Sequence, residues 1–206
     1  MEAHEIAEKI HETEPGAHGE GGHEMFRRLT AIYVGVVAML LAISTLGGAE
    51  ATKEMLNANI QASDTYAFYQ AKYIRQTLYQ IAASELELQT GSGQLTGDHG
   101  AKAAELIKRY RDTATRYESE PANGEGKKEL MAKAKKLDAE RDHAAARIPN
   151  FEYAEALFQI AIVLGSVAIV AASIWLVGLS GLLALAGILL TINGYFLLVP
   201  LGGGHH

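Results

Sequence analysis

Three apolar stretches constrain the fold more than any other feature of this chain. They cover residues 29–46, 157–177 and 179–199, and none of them contains a charged residue. A hydrocarbon core about 30 Å thick needs ~20 mostly apolar residues per helix, which is close to the length of each stretch. The spacing therefore predicts three transmembrane helices. The first stands alone, and the last two follow each other through a tight turn at residues 177–181.

The charged residues are concentrated between the first and second stretches, in an insert that covers residues 47–156. Of the 18 Lys and Arg in the chain, all except Lys9, Arg27 and Arg28 lie in this insert, where acidic residues closely match them. The insert therefore has no surface of one sign, and we predict that the chain does not bind nucleic acid. Cysteine is absent, which excludes disulfides, thiolate metal sites and cysteine nucleophiles.

The two ends of the chain are polar or glycine-rich tails, residues 1–28 and 200–206. The first tail is acidic and contains histidines, and its glycines between residues 16 and 22 predict a flexible loop. His18 and His23 are candidate metal ligands because imidazole binds Zn, Ni or Cu. In a flexible segment they would hold an ion only weakly, so we predict no metal site and no cofactor.

Small residues recur within the apolar stretches at steps of four, three and four residues. In lipid, helices associate through close backbone contact, which small side chains allow. This spacing predicts a tightly packed bundle in which each helix contributes one narrow face. The residues that we expect at these contacts are Gly35, Ala38, Ala42, Gly165, Ala168, Ala172, Ala184, Gly187 and Thr191.

The insert has the pattern of two long amphipathic helical legs. Residues 51–88 form the outgoing leg after a hinge at Gly47-Gly48, and residues 101–117 and 126–148 form a return leg of equal length before a break at Pro149-Asn150. This pattern predicts an antiparallel helical hairpin that resembles a coiled coil. A row of large aliphatic residues along the outgoing leg is expected to pack inside it.

A second row on the outgoing leg is aromatic. Two legs cannot bury two apolar rows in each other, so we expect this tyrosine row to be surplus and to contact another chain. The polar segment at residues 57–66 is either a further part of that contact or a solvated face. The predicted contact residues are Asn59, Asp64, Tyr66, Tyr69, Tyr73 and Arg75.

The charge next to the first stretch favours a cytoplasmic N-terminus. Arg27-Arg28 immediately precede this stretch, whereas Lys53 is the nearest cation on its far side. No acid lies within any stretch, and Asn193 is the most polar residue inside them. We expect Asn193 to make a hydrogen bond between helices or a contact at the C-terminal interface.

A run in the insert resembles a known bacterial family. It reads GGAEATKEMLNANIQASDTYAFYQAK at residues 47–72 and continues with IRQ at residues 74–76. It is similar to the membrane proteins grouped as domain of unknown function 4337, and the order of stretches, insert and hairpin also fits them. The resemblance implies a multi-pass protein of the bacterial cytoplasmic membrane. It implies no activity and no ligand.

These observations predict an all-α integral membrane protein with three transmembrane helices and an antiparallel hairpin between the first and second. No P-loop, serine-hydrolase or zinc-protease motif occurs, so we predict that the chain is not an enzyme. Our first hypothesis is a scaffold or accessory subunit in the lipid bilayer that forms a homo-oligomer or docks on a membrane-protein partner. The alternatives are a subunit of an oligomeric channel or transporter and a metal sensor that uses the histidine tail.

Overall fold

The computed structural model describes residues 17–199, with only the backbone described for residues 17–21. Within this range the chain forms four helices and no strand: α1 (Ala17–Gly91), α2 (Gly97–Glu118), α3 (Lys127–Ala171) and α4 (Ile174–Phe196). The all-α class is confirmed. Helices α1, α3 and α4 are each long and apolar enough to cross a membrane.

The helices divide into two compact units. Within the described residues, the terminal unit comprises residues 17–51 and 146–199, and the insert unit comprises Thr52–Ala145. Helices α1 and α3 each contribute residues to both units, whereas α2 belongs to the insert unit and α4 to the terminal unit.

The terminal unit buries a row of residues spaced seven apart along its part of α1, and it also buries Gly47. The residues of the row are Thr30, Val37, Ser44 and Ala51, and each is at most 4% exposed. A seven-residue repeat keeps one side of a helix facing its neighbours over many turns. The hydrophobic core around Val37 is completed by residues of α3 and α4, namely Ala154, Phe158, Ala161 and Ala184.

Two phenylalanines of α3 are fully buried in spaces left by glycines. A Cβ atom added at Gly187 would lie 2.8 Å from the Phe158 ring, and one added at Gly194 would lie 2.8 Å from the Phe151 ring. Gly47 of α1 approaches Phe151 from another side, at 2.6 Å by the same measure. Because real Cβ atoms are not found so close to other atoms, these glycines are required by the packing.

The predicted hinge at Gly47-Gly48 and the predicted break at Pro149-Asn150 are both wrong, because α1 and α3 continue through them. Contact with Phe151 outweighs the low helix propensity of glycine. Pro149 removes one backbone donor from α3. The Asn150 side chain donates to the Ala146 carbonyl oxygen at 3.2 Å, which supplies a partner close to the proline.

The turn between the last two apolar helices lies earlier than predicted. Residues 177–181 are helical, and the turn is formed by Ala172 and Ser173, between α3 and α4. Ala172 has a left-handed backbone with φ of 47°, and the Ser173 amide donates to the Ala168 carbonyl oxygen at 3.3 Å. This is the pattern of a common helix C-terminus that usually carries glycine. An alanine there gives no sequence signal.

The insert unit has a core made mostly of alanines. Those below 7% exposure are Ala58, Ala62, Ala83, Ala103, Ala114, Ala134 and Ala144. Three polar residues of α1, Thr65, Lys72 and Gln76, share the same buried side of the helix. Short side chains let the helices of this unit approach closely, and the polar groups that become buried then need partners within the unit.

The connection between α2 and α3 is held by one carboxylate. Glu129 of the first turn of α3 accepts hydrogen bonds from the Ser119 hydroxyl at 2.6 Å and from the Glu120 amide at 3.2 Å. The Ser119 hydrogen bond, followed by the backbone hydrogen bonds, lowers the pKa of Glu129 from its ordinary value. The ionised carboxylate therefore fixes the point at which the chain enters α3.

Candidate functional site

The part of the chain described, residues 17–199, contains no group of three or more His, Cys, Asp or Glu side chains placed to hold a metal ion. The two histidines considered as ligands lie in a different setting from the one expected. His18 and His23 belong to the first turns of α1 rather than to a flexible loop. The His23 side chain is exposed, and that of His18 lies outside the described side chains.

The small residues of the second and third apolar helices lie at contacts inside the terminal unit. Gly165, Ala168, Ala184 and Gly187 are buried. A Cβ at Gly165 would lie 2.7 Å from Val34 of α1, and Gly187 receives Phe158 as described above. These residues bring the helices of the unit together.

Ala172 and Thr191 complete the predicted set on these helices. Ala172 is exposed in the turn between α3 and α4. Thr191 is half-buried and donates to the Gly187 carbonyl oxygen at 2.9 Å. Its hydroxyl also lies 3.4 Å from the Ser44 hydroxyl of α1.

The small residues of the first apolar helix are placed differently. Gly35, Ala38 and Ala42 are all exposed, and a Cβ at Gly35 would meet no atom of the described residues within 4 Å. Ala31 and Thr45 extend the same side of α1 and are also exposed. We call these five residues the small-residue face of α1. In the described chain this face packs against nothing.

Uncharged polar side chains link the helices of the terminal unit. The Ser180 hydroxyl donates to the Ala161 carbonyl oxygen at 2.6 Å, and the Tyr33 hydroxyl lies 2.9 Å from the Ser180 hydroxyl. The Asn193 amide donates to the Asn150 side-chain oxygen at 2.6 Å and to the Val199 carbonyl oxygen at 2.7 Å. The expected hydrogen bond of Asn193 between helices is confirmed, and the contact at the C-terminal interface stays a prediction.

The residues predicted to contact a partner are spread over the insert unit. The Tyr66 hydroxyl donates to the Asp138 carboxylate at 2.7 Å, and this hydrogen bond, followed by burial, raises the pKa of Tyr66. Tyr69 is half-buried. Tyr73 is exposed, with the Lys127 ammonium 4.9 Å from the centre of its ring. The tyrosines thus include residues that the unit uses itself.

The other three predicted contact residues, Asn59, Asp64 and Arg75, are exposed. Arg75 lines an open groove of about 530 Å³ together with tyrosines of α1 and α2, among them Tyr79 and Tyr110. The rings of Tyr79 and Tyr110 lie 5.6 Å apart.

The aliphatic row of α1 is where the sequence interpretation was wrong. Ile60, Ile74, Leu78, Ile81 and Leu88 are 57%, 59%, 60%, 58% and 76% exposed. The row that packs inside the insert unit is instead the one with alanines and buried polar residues. Its sequence signal is a seven-residue repeat that continues the buried row of the terminal unit: Thr30, Val37, Ser44, Ala51, Ala58, Thr65 and Lys72.

Lys72 shows how a charge is accommodated on this buried row. Its ammonium lies 3.3 Å from the Glu125 carboxylate and 5.3 and 5.2 Å from the ring centres of Phe68 and Tyr117. One turn further, the Gln76 amide donates to the Ala114 carbonyl oxygen at 3.0 Å and to the Glu118 carboxylate at 3.1 Å. Lys72 and Gln76 of the buried row therefore find their partners within the insert unit.

Comparison with known proteins gives one match. The family model described as domain of unknown function (DUF4337) matches residues 26–197, which include α2, α3 and α4 in full and α1 from Phe26 onward. Neither a curated protein nor a solved structure matches the chain.

Proposed function

The chain belongs to the family described as domain of unknown function (DUF4337), and we propose that it is a membrane scaffold or accessory subunit that acts by self-association rather than by catalysis. The observation that carries this proposal is the small-residue face of α1. Four of the six corresponding residues of the other two apolar stretches are buried inside the terminal unit, whereas Gly35, Ala38 and Ala42 are exposed. A second copy of the chain can therefore approach α1 closely on this face.

The proposal places the three apolar helices in a lipid bilayer. Large apolar side chains point away from the terminal unit on each of them, for example Met39, Val170 and Leu182, which are 65%, 84% and 65% exposed. Such a surface is unfavourable in water and favourable against lipid chains. In lipid, a hydrophobic drive between helices is missing, so association depends on close packing at faces such as that of Gly35.

We also propose a cytoplasmic N-terminus in a bacterial cytoplasmic membrane, because Arg27 and Arg28 precede the first apolar stretch. The chain has no cysteine, so a single cysteine at the exposed residue Ser92 can be probed directly. An impermeant thiol reagent added to intact cells should label it. Labelling only after the cells are opened would reverse the orientation.

Within the insert unit we propose the antiparallel hairpin. Four contacts support it, and their order runs in opposite directions along the two legs. Tyr66, Lys72, Gln76 and Tyr79 of α1 contact Asp138, Glu125, Glu118 and Tyr110. As the residue number rises on α1, the number of the contacted residue falls, which is the order that antiparallel legs produce.

Size measurement of the purified full-length chain in a mild detergent tests self-association. We expect the wild-type protein to have the mass of an oligomer. Gly35→Leu should shift it to the monomer, because the added side chain separates two small-residue faces. The substitution should leave the chain folded, since a Cβ at Gly35 meets no described atom within 4 Å.

Val36→Leu is the matched control, because Val36 is the next residue, is 48% exposed and lies outside the small-residue face. It should keep the oligomer mass. A wild-type protein that is monodisperse and monomeric would refute the proposed self-association. An oligomer that Gly35→Leu leaves intact would show that α1 associates through another surface.

The alternative of a channel or transporter subunit receives less support from the polar residues of the terminal unit. These groups already form hydrogen bonds between helices inside the unit. The Ser44 hydroxyl donates to the Phe151 carbonyl oxygen, and Ser180 and Asn193 donate to α3 as described above. A pore needs polar groups that face its lumen. Ion flux through liposomes that contain the wild-type chain but not an Asn193→Leu variant would favour the channel.

A further inference from the structure

The insert unit exposes a long, mostly apolar row that the described residues leave uncovered. It consists of Ile60, Ala67, Ile74, Leu78, Ile81 and Leu88, and we call it the aliphatic seam. The five large residues are each more than half exposed. Single exposed apolar residues are common on proteins, but a contiguous row of this length marks a contact surface.

The spacing of the seam is that of a helix that pairs with another helix. Residues 60, 67, 74, 81 and 88 are seven apart. The positions between them, at steps of four and three, carry Ala71 and Leu78 in the middle of the seam and the acidic residues Asp64 and Glu85 toward its ends. Apolar residues at this spacing form the contact strip of helices that wind around each other. The buried row of α1 has the same period on another side of the helix, so the seam faces away from the unit's own core.

We infer that the aliphatic seam binds the aliphatic seam of a second copy of this chain, and this inference rests on the self-association proposed above. The residues that flank the seam favour an identical partner. Positions 56, 63, 70, 77 and 84 on one side and 61, 68, 75, 82 and 89 on the other include one charge, Arg75. Charged residues at these positions are what selects a different partner helix, and flanks with a single charge make no such selection.

The size of the seam fits a contact that forms between copies held in one membrane. From Ile60 to Leu88 a helix rises ~40 Å, and a strip about 10 Å wide along it covers roughly 400 Å² per copy, about half of a standard interface. Copies confined to a bilayer meet at a higher effective concentration than free chains, which compensates for a small area.

The direction of pairing follows from the continuity of α1, which contains both the first apolar stretch and the seam. Copies inserted with one topology have α1 helices that run the same way. In a parallel pair, each seam residue faces the same residue of the other copy. A single cysteine in the seam should therefore form a disulfide with itself across the pair.

Oxidative cross-linking in vesicles tests this directly on the full-length chain. Ile74→Cys and Ile81→Cys place a thiol at two exposed positions of the seam. Gln80→Cys places a thiol at the exposed position next to Ile81 in sequence, on a different side of α1. At a low protein-to-lipid ratio, we expect disulfide-linked dimers from both seam variants. Gln80→Cys should remain mostly monomeric on the same gel.

The outcomes separate this inference from the proposed function, because the mass of each variant is measured in parallel. If the variants are oligomers but cysteines at positions 74 and 81 give no more disulfide-linked dimer than a cysteine at position 80, the seam pairing is overturned. Self-association is left standing by that result. Monomers throughout would overturn both. Disulfide links from positions 74 and 81 that form only after a different protein is added in equal amount would show that the partner is not a second copy of this chain.

Glu85 gives a second test that strengthens the contact. It is exposed and lies in the seam between Ile81 and Leu88, so a parallel pair brings two carboxylates together. Glu85→Leu should lower the apparent Kd of association by roughly tenfold. Energy transfer between labelled copies in vesicles measures this Kd. Gln80→Leu, with the same added bulk outside the seam, should not change it. Equal effects of both variants would refute the pairing.

Discussion

In the terminal unit, Phe151 and Phe158 fill spaces left by glycines, whereas in the insert unit the buried side of α1 is made of alanines and paired polar residues. The same helix, α1, takes part in both arrangements. Its buried row is Thr30, Val37, Ser44 and Ala51 in the first unit and passes to Ala58, Thr65 and Lys72 in the second. The period of seven residues is shared, and the chemistry at each position differs.

The difference follows from the solvent that we propose for each unit. In lipid, burying another apolar side chain gains little, so the terminal unit depends on close contact between rings and backbones and on hydrogen bonds between uncharged groups. Next to water, charged groups can be paired and remain partly solvated, as Lys72 and Glu125 are. Most residues of the buried row have short side chains in both units, which lets the helices approach closely.

The largest effect is expected when a phenylalanine is removed from the terminal unit. Phe151→Ala should cost about 3–5 kcal/mol, since the ring is fully buried and the glycines around it cannot fill the cavity. In thermal unfolding of the full-length chain in detergent, the Tm should fall by roughly 10 °C. The control is Phe196→Ala, because Phe196 is 73% exposed. Equal melting of the two variants would show that the stability of the terminal unit does not depend on the ring packed between its glycines.

A smaller effect is expected from a buried polar residue of the insert unit. Gln76→Met keeps the volume of the side chain and removes the donor that serves the Ala114 carbonyl oxygen and the Glu118 carboxylate. The loss should be ~1–2 kcal/mol in the same unfolding measurement. Gln80→Met, at an exposed position one turn further, should have no effect. A more stable Gln76→Met variant would show that the insert unit, too, prefers apolar burial.

The features that the sequence predicted correctly depend on long segments. Charge-free stretches of sufficient length predicted three apolar helices, and the overall helical class followed from the periodicity of the insert. The small residues at 165, 168, 184 and 187 also lie in buried contacts. These predictions need no knowledge of which helices are neighbours, because the length of an apolar segment and the period of its side chains decide them.

The features that it missed depend on neighbours distant in the chain. Glycine pairs and proline end many helices, but Gly47 leaves room for the ring of Phe151, and α1 stays helical there. Two rows on α1 have helical spacing. Hydrophobicity alone predicts that the row with the larger apolar residues, which includes Ile74 and Leu78, forms the core. The row that is buried is the one that lets helices approach closely, and its sequence signal was the strict period of seven rather than the hydrophobicity.

The smallest effect is expected from acid, and it should be confined to the insert unit. Hydrogen bonds from Ser119 and the backbone lower the pKa of Glu129, and those from Lys127 and Gln76 lower the pKa of Glu118. A lowered pKa in the folded state gives stability that is present above the ordinary carboxyl range and is lost as the pH falls through the lowered value. The start of α3 should therefore loosen in acid before the terminal unit does.

Hydrogen exchange of the Glu120 amide measures this locally, because this amide donates to the Glu129 carboxylate. After correction for the intrinsic pH dependence, its protection should decrease below about pH 4 in the wild-type chain. Ser119→Ala should start with less protection and show a weaker dependence on pH, because the pKa of Glu129 then moves back toward its ordinary value. The buried contacts of the terminal unit join uncharged side chains such as Ser180 and Asn193, so amides around them should keep their protection over the same range. If those amides lost protection together with that of Glu120, the two units would open as one, and the contrast in their chemistry would have no counterpart in their stability.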